Sequence, residues 1–280
     1  MDRFGNDREP GLIGLSMRIL FLGDIVGSPG VGMVKRAVPW LRQSESIDLV
    51  VANAENATNG SGLAPRDYRI LRAAGVDAIT LGDHIYKKFD IADQLADANE
   101  PIVKPANFPA SSPGKEWTIV NVGDTPVAIV SLMGRTFMRP VDCPFTAIDR
   151  VLKLLEGKTR TIIVDVHAEA TADKYLLARY LDGRVTAVLG THTHVPTADE
   201  QILPKGTAFQ CDVGMSGPYE GILGRRTDRV LHTAMTFEPS AFDVATEDVR
   251  LSGAIVDCDT NGKATGIRRV VIREMDLPNM

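Results

Sequence analysis

Short apolar runs recur along the chain, separated by segments whose apolar residues have a helical spacing. The runs are rich in β-branched residues and bounded by Gly or polar residues, which is typical of buried strands. They occupy 18–22, 49–52, 78–81, 161–166 and 187–190. The segments between them predict helices over 30–42, 65–74, 90–98, 145–155 and 171–181. This alternation predicts an α/β fold with a largely parallel sheet covered on both faces.

Two further segments have the pattern of antiparallel hairpins. The segment 116–132 predicts two strands that turn at Gly123–Asp124, and 249–272 predicts two strands that turn at Asn261–Gly262. No linker rich in Pro and Ser divides the chain. We therefore expect one domain over 17–280, with two packed sheets, preceded by a mobile polar leader over 1–16.

Composition narrows the class of protein. With 280 residues, 44% of them hydrophobic and a net charge of -5, the chain has an ordinary globular balance and no broad basic surface for a stable nucleic-acid complex. Its three cysteines have no disulfide or thiolate-zinc spacing. Since no apolar run approaches the ~18 residues that span a bilayer, we expect a cytoplasmic protein without membrane contact.

Polar side chains follow each of the five apolar runs. They are Asp24, then Glu55 and Asn56, then Asp83 and His84, then His167, and finally His192 and His194. The carboxyl ends of parallel strands lie along one sheet edge, where such folds place their sites. We therefore expect these residues to converge.

The segment "LGTHTHVP" carries the last two of these residues. In an extended backbone, residues i and i+2 project to the same side, so His192 and His194 would aim at one point while Thr193 faces away. Taken alone, the pair is explained equally well as two surface histidines. Asp24 alone could be a turn cap and His167 a hydrogen-bonded core residue, but their recurrence after five strands favours a common site.

The donor types indicate a metal site. Carboxylates, an amide and imidazoles without a thiolate suit Mn, Fe or Zn better than a dedicated Ca site. The candidate ligands are too many for one ion, so two metals bridged by a carboxylate are the simplest interpretation. The candidates are Asp24, Glu55, Asn56, Asp83, His167, His192 and His194.

The same residues carry a family resemblance. Their order, together with "LFLGDIVGSPG", "ANAENATNGSGL", "TLGDHIY", "LMGRTFMRPVDCPF", "VDVHAEAT", "GTHTHVPTAD" and "DVGMSGPYEGILG", resembles the calcineurin-like metallophosphoesterases, and within them the YmdB-like bacterial branch. The resemblance covers roughly 17 to 275. It implies a two-sheet sandwich flanked by helices (α/β/β/α), a dinuclear metal site, hydrolysis of cyclic nucleotides including 2′,3′-cyclic ones, and assembly as a homo-oligomer.

Carried over position by position, the resemblance assigns the ligands to two ions. One ion would be held by Asp24, Glu55, Asn56 and His194, and the other by Glu55, Asp83, His167 and His192, with Glu55 bridging. Mn or Fe is favoured, with Mg or Zn as alternatives. The broader superfamily begins with D-x-H, which Asp24-Ile25-Val26 lacks, and Asn56 would take that place as in the branch. The second departure is Asp83, where the family has Asn.

The expected activity is hydrolysis of a small phosphodiester by a hydroxide that bridges the metals. His84 is the candidate catalytic side chain, as a proton donor to the leaving oxygen; alternatively it only orients Asp83. Arg135 could meet phosphate or a neighbouring subunit, and 212–218 could approach the ligand or be an ordinary loop.

Two rival functions stay open. Amidohydrolases also use H-x-H, but they place it after the first strand of a barrel, which disfavours them. A regulatory protein that binds metal or nucleotide with little turnover is the alternative of another class.

Overall fold

The computed structural model describes residues 17–278, so the predicted leader over 1–16 lies outside the described residues. The strands, in chain order, are β1 (Met17–Leu22), β2 (Asp24–Ile25), β3 (Leu49–Asn53), β4 (Ala78–Thr80), β5 (Ile102–Val103), β6 (Trp117–Val122), β7 (Thr125–Met133), β8 (Thr161–His167), β9 (Ala187–Thr191), β10 (Gln201–Ile202), β11 (Ala208–Gln210), β12 (Met215–Pro218), β13 (Val249–Cys258) and β14 (Ala264–Arg273). The helices are α1 (Gly27–Ser44), α2 (Pro65–Ala73), α3 (Ala92–Ala96), α4 (Pro144–Leu155), α5 (Thr171–Leu181) and α6 (Thr227–Thr236), with 3₁₀ turns at Phe89–Ile91 and Glu274–Asp276.

The strands form two sheets. The first has the order β2-β12-β13-β1-β3-β4-β5, with β14 paired to β13, and the second has the order β10-β11-β9-β8-β7-β6. Within the first sheet β1, β3, β4 and β5 are parallel, and within the second β7, β8, β9 and β11 are parallel. Each sheet therefore has a parallel centre whose strands end on the same side.

Both faces of each sheet are buried, as alternation along β1 illustrates. Ile19 and Phe21 pack between the sheets against Ile129 and Leu189 of the second sheet, whereas Leu20 and Leu22 belong to the cluster shared with helices α1 and α2. Helices α4 and α5 cover the outer face of the second sheet. The predicted α/β/β/α sandwich is confirmed.

One prediction about the sheets is wrong. The five runs were expected to end along the edge of one sheet, but β1, β3 and β4 lie in the first sheet and β8 and β9 in the second. Each run is mostly apolar because it is buried on both faces, so the pattern does not reveal which sheet it joins.

The predicted strands, both hairpins and most helices are present. The helix predicted over 90–98 is shorter, since it ends at Ala96 and the Asp97 carboxylate accepts a hydrogen bond from the Asn99 amide at 2.8 Å, a turn that competes with the helix. Helix α6 was not predicted, and none of its residues is buried.

Between residues 17 and 278, no helix has both the length and the apolar content needed to cross a membrane.

Candidate metal centre

The eight predicted site residues meet at the end of the sandwich where the parallel strands of both sheets finish. Register explains this: Leu22 pairs with Ala52 in the first sheet, and His167 pairs with Thr191 in the second. The residues that follow these positions therefore emerge at one level. The His192 amide donates a 2.9 Å hydrogen bond to Asp24 Oδ2, which joins the two sheets across the site.

Four side chains form a compact group, here called the quartet: Glu55, Asp83, His167 and His192. Each offers one ligand atom, and these atoms all lie within 4.8 Å of one another. His167 Nε2 is 3.1 Å from both Glu55 Oε1 and Asp83 Oδ1, and 3.0 Å from His192 Nδ1. Two nitrogens and two carboxylate oxygens at this spacing are a donor set for a divalent ion such as Zn, Mn or Fe.

A second group lies beside the quartet, here called the Asp24 half: Asp24, Asn56 and His194. His194 Nε2 is 3.7 Å from Asp24 Oδ1 and 3.4 Å from Asn56 Nδ2. Asn56 Nδ2 is also 3.4 Å from Glu55 Oε1. Glu55 therefore contacts both groups and stands where a bridging carboxylate would be needed.

Outer contacts orient each histidine. His167 Nδ1 is 2.9 Å from the hydroxyl of Thr191, which itself donates to Asp165 at 2.7 Å. His192 Nε2 is 3.2 Å from Glu169, and His194 Nδ1 is 3.2 Å from the Leu223 carbonyl oxygen. In each imidazole one nitrogen contacts an outer residue and the second nitrogen faces the other candidate ligands, as is usual for histidines that bind metals.

Neighbouring carboxylates raise the pKa of two imidazoles in the site, those of His167 and His194. Burial alone would lower the pKa of His167, but the charge of Glu55 and the hydrogen bond to Asp83 outweigh it and raise that pKa well above its ordinary value. Burial likewise acts against the charge of His194, and Asp24 raises the pKa of His194. A divalent ion would replace the imidazole protons as the partner of the carboxylates.

The carboxylates respond in the opposite sense. Burial would raise the pKa of Asp24, but the hydrogen bond and charge of His194 outweigh burial and hold that pKa below its ordinary range. Burial also opposes ionisation of Asp83, and hydrogen bonds from His167 and His192 outweigh it and lower the pKa of Asp83. Asp165 contrasts with both, because burial raises its pKa to about 6.

His84 lies at the junction of the two groups. Its Nδ1 is 2.7 Å from Asn56 Oδ1, and its Nε2 is 3.7 Å from Asp83 Oδ2. Its side chain is 31% exposed, in contrast to the fully buried His167. A cavity of about 300 Å³ opens here, lined by Glu55, Asn56, Gly60, His84, Glu169, His192, Thr193, His194, Leu223 and Arg225.

The prediction of an extended backbone at His192 and His194 is wrong. Strand β9 ends at Thr191, and φ is positive at both His192 (94°) and His194 (65°). The two rings therefore reach different groups: His192 joins the quartet, and His194 joins the Asp24 half. An extended i, i+2 pair would have aimed both rings at one point.

Sequence reasoning missed several residues around the site. Asp212 follows strand β11 just as the other polar residues follow theirs, and Glu169 stands two positions after His167, so both had a signal. Lys174 on a helix and Arg225 on a loop had none. In the segment 212–218 the Asp212 carboxylate accepts a hydrogen bond from Thr193, and no residue of the segment is among those that line the cavity.

Arg135 is not among the residues that line the cavity. Its amide donates to Asp173, as does the amide of Thr136.

Comparison with known proteins gives consistent matches. The model of the family described as YmdB-like protein matches residues 20–270. The 2′,3′-cyclic-nucleotide 2′-phosphodiesterase of Bacillus subtilis (strain 168) is 46% identical over 259 residues, which is 92% of this chain and 98% of that protein.

Solved structures match over the same length. A hypothetical protein from Thermus thermophilus superposes with a TM-score of 0.87 at 44% identity, covering 92% of this chain and all of that one. A novel phosphatase from Mycoplasma pneumoniae also gives a TM-score of 0.87, at 31% identity, covering 93% of this chain and 95% of that one.

Proposed function

The chain belongs to the YmdB-like protein family, and from that premise we propose that it is a metal-dependent phosphodiesterase that hydrolyses 2′,3′-cyclic nucleotides. The observation that carries the proposal is the quartet, whose ligand atoms lie within 4.8 Å of one another beside a cavity. The Bacillus subtilis relative is named for this substrate class, and its similarity extends over nearly all of both chains.

The donor sets fit two divalent ions. The quartet would hold one ion, and the Asp24 half would hold the other together with the shared carboxylate of Glu55. Mn and Fe are favoured, because oxygen and imidazole donors without thiolate suit them. When bound, such a pair supplies hydroxide near neutral pH and neutralises charge on the phosphate oxygens.

Asn56 connects the Asp24 half to His84. Its Nδ2 faces Asp24 and His194, and its Oδ1 faces His84 Nδ1 at 2.7 Å. Ligation through the amide oxygen requires the opposite orientation of this amide. Nδ2 would then face His84 Nδ1.

His84 is the proton donor in this proposal. Opening a cyclic phosphodiester breaks one P–O bond, and the ribose oxygen that leaves must take up a proton. His84 lines the cavity and is partly exposed, so its Nε2 can reach a substrate bound there. Delivery of the proton to the leaving oxygen is general acid catalysis.

Arg225 is a candidate for substrate binding. Its guanidinium is held by backbone carbonyl oxygens, those of Asn59 at 3.2 Å, Phe242 at 2.9 Å and Gly60. These acceptors are neutral, so they leave the positive charge of Arg225 uncompensated. Since the side chain lines the cavity and guanidinium has five N–H groups, it can still donate to an anionic substrate.

The test is a phosphodiesterase assay on defined metal forms of the protein. Protein stripped with a chelator is reloaded with Mn, Fe, Mg or Zn, its metal content is measured, and it is assayed on 2′,3′-cyclic mononucleotides and bis-p-nitrophenyl phosphate. We expect turnover that depends on added metal. Fully loaded protein without turnover would overturn the proposal and favour a regulatory role on the same scaffold.

Cytoplasmic location and assembly as a homo-oligomer complete the proposal. The first follows from the sequence composition and the second from the family resemblance. Sedimentation of the purified protein, with the monomer mass as the outcome that contradicts assembly, tests the second.

A further inference from the structure

The peptide that joins the two site histidines is held from the interior of the protein. Thr193 lies between His192 and His194. Its amide and its hydroxyl both donate to Asp212 Oδ2, at 3.1 and 2.7 Å. One carboxylate oxygen thus holds both the backbone and the side chain of this residue.

A buried lysine compensates the charge of that carboxylate. Lys174 Nζ lies 2.7 Å from Asp212 Oδ2, and the two residues are 0% and 1% exposed. The other oxygen, Oδ1, accepts a 2.8 Å hydrogen bond from the Gly214 amide. Lys174 comes from helix α5, and its side chain passes Gly190, where an added Cβ would lie 2.9 Å from Lys174 Cδ. An added Cβ would also meet the backbone carbonyl of Cys211, so the strand and the Lys174 side chain both pack closely on this glycine.

A gain in folding stability alone does not explain why the Lys174–Asp212 ion pair is buried. Removing two charges from water costs several kcal/mol per ion, and a buried pair is often no more stabilising than apolar residues of similar volume. The backbone conformation of the neighbouring residues His192 and His194 offers another explanation for the buried ion pair. Left-handed φ values, as at both His192 and His194, are unfavourable for residues other than glycine, and they persist only where the surroundings impose them.

We propose that the Lys174–Asp212 ion pair is a positioning device that holds Thr193 so that His192 and His194 enter separate halves of the metal site. Lys174 compensates the negative charge of Asp212, and the carboxylate accepts both hydrogen bonds from Thr193. Without them the peptide relaxes toward ordinary φ values, and the two rings lose their separate directions. This inference rests on the proposed metal ligands, but it requires no turnover.

The test measures metal binding rather than activity. Metal-free full-length protein is titrated with Mn by calorimetry, and metal content after dialysis is measured separately. Thr193→Val removes the hydroxyl at constant shape, and Thr193→Ser restores it. Lys174→Met removes the ammonium group. Lys104→Met is the matched control, because Lys104 is also buried, at 2% exposure, but donates to the carbonyl oxygens of Pro109 and Ser112.

The positioning role predicts a specific pattern. Thr193→Val and Lys174→Met should raise the Kd for Mn about 10- to 100-fold, the usual effect of losing a residue that orients metal ligands. Thr193→Ser should bind as the wild type does. Lys104→Met should lower the melting temperature and leave the Kd unchanged.

Other outcomes would contradict this inference, the proposed function, or both. If Thr193→Val binds Mn within twofold of the wild type, Asp212 does not position the histidines, whether or not Lys174→Met folds. If Lys104→Met weakens Mn binding as much as Lys174→Met does, the Lys174–Asp212 pair has only a general stabilising role. An enzyme inactive on phosphodiesters whose Thr193 variants still differ in Mn binding would contradict the proposed function and leave this inference standing. Wild-type protein that binds no Mn would overturn both.

Discussion

The quartet and the Asp24 half differ in charge more than in burial. The quartet contains the carboxylates of Glu55 and Asp83, whereas the Asp24 half has one carboxylate of its own, an amide and an imidazole. In the quartet the His167 and His192 nitrogens lie as close as 3.0 Å to each other, and His167 Nε2 lies 3.1 Å from both carboxylates, whereas in the Asp24 half His194 Nε2 lies 3.7 Å from Asp24 Oδ1. The residue responsible for the difference is Asp83, which stands where the family pattern has a neutral Asn.

This difference in charge predicts that the two groups, which Glu55 would connect, bind divalent ions with different affinities. Anionic oxygen donors bind hard divalent ions more tightly than neutral ones do. We therefore expect the quartet to take the first ion and the Asp24 half the second. Four substitutions test this expected difference in metal affinity and the roles proposed for the residues around the two groups.

The largest effect should follow removal of a quartet ligand at its centre. His167→Ala deletes the nitrogen that lies 3.1 Å from both carboxylates of the quartet. We expect the tighter Mn site to weaken more than about 100-fold, beyond the loss typical of a residue that only orients a ligand. Elemental analysis after dialysis should fall from two ions per chain to one. Retention of both ions would mean that His167 is not a ligand.

Removal of His84 should separate catalysis from metal binding. His84→Ala should lower kcat by ~10²-fold or more, the usual scale of general acid catalysis, because no other group would protonate the leaving oxygen. Metal content should stay at the wild-type level, since His84 contacts ligands of both groups without belonging to either. Calorimetry with Mn and steady-state kinetics measure the two properties. Loss of metal with unchanged kcat per loaded protein would assign His84 a purely orienting role.

Asp83→Asn tests the comparison directly. The variant keeps the side-chain shape and removes one negative charge, so the quartet should bind Mn about tenfold less tightly, because a neutral amide replaces a charged donor. The extra positive charge left in the loaded site should favour loss of a proton from bound solvent. The pH–rate profile of the Mn-saturated variant should therefore shift toward lower pH. An unchanged Kd together with an unchanged profile would mean that Asp83 is not an ionised ligand.

The smallest effect should come from the cavity rim. Arg225→Met should raise KM about fivefold with little change in kcat, because a partly exposed cation contributes roughly 1 kcal/mol to holding an anionic substrate. Arg226→Met is the matched control, since Arg226 pairs with Asp228 outside the cavity. Equal effects of the two substitutions would remove Arg225 from the proposed substrate site.

Much of the candidate site could be predicted because its residues have a local signature. Asp24, Asp83 and His167 each stand within two residues of the end of a β-rich apolar run. Strand formation depends on local pattern, and parallel strands bring their carboxyl ends together. Convergence of distant residues then needs no knowledge of side-chain contacts. Lys174 could not be predicted from local pattern, because a lysine on a helix is expected to be exposed to solvent. In the structure its side chain is fully buried.

The sequence by itself determined nine of the fourteen described strands, the two hairpins and the polar residues that follow the five apolar runs, since these depend on periodicity and connection length. Tertiary structure alone decided which sheet each strand joined, because runs buried on both faces have the same pattern in either sheet. It also decided that the backbone at His192 and His194 is left-handed rather than extended. Their left-handed backbone is imposed by Asp212 and Lys174, and such long-range packing is not encoded in neighbouring residues.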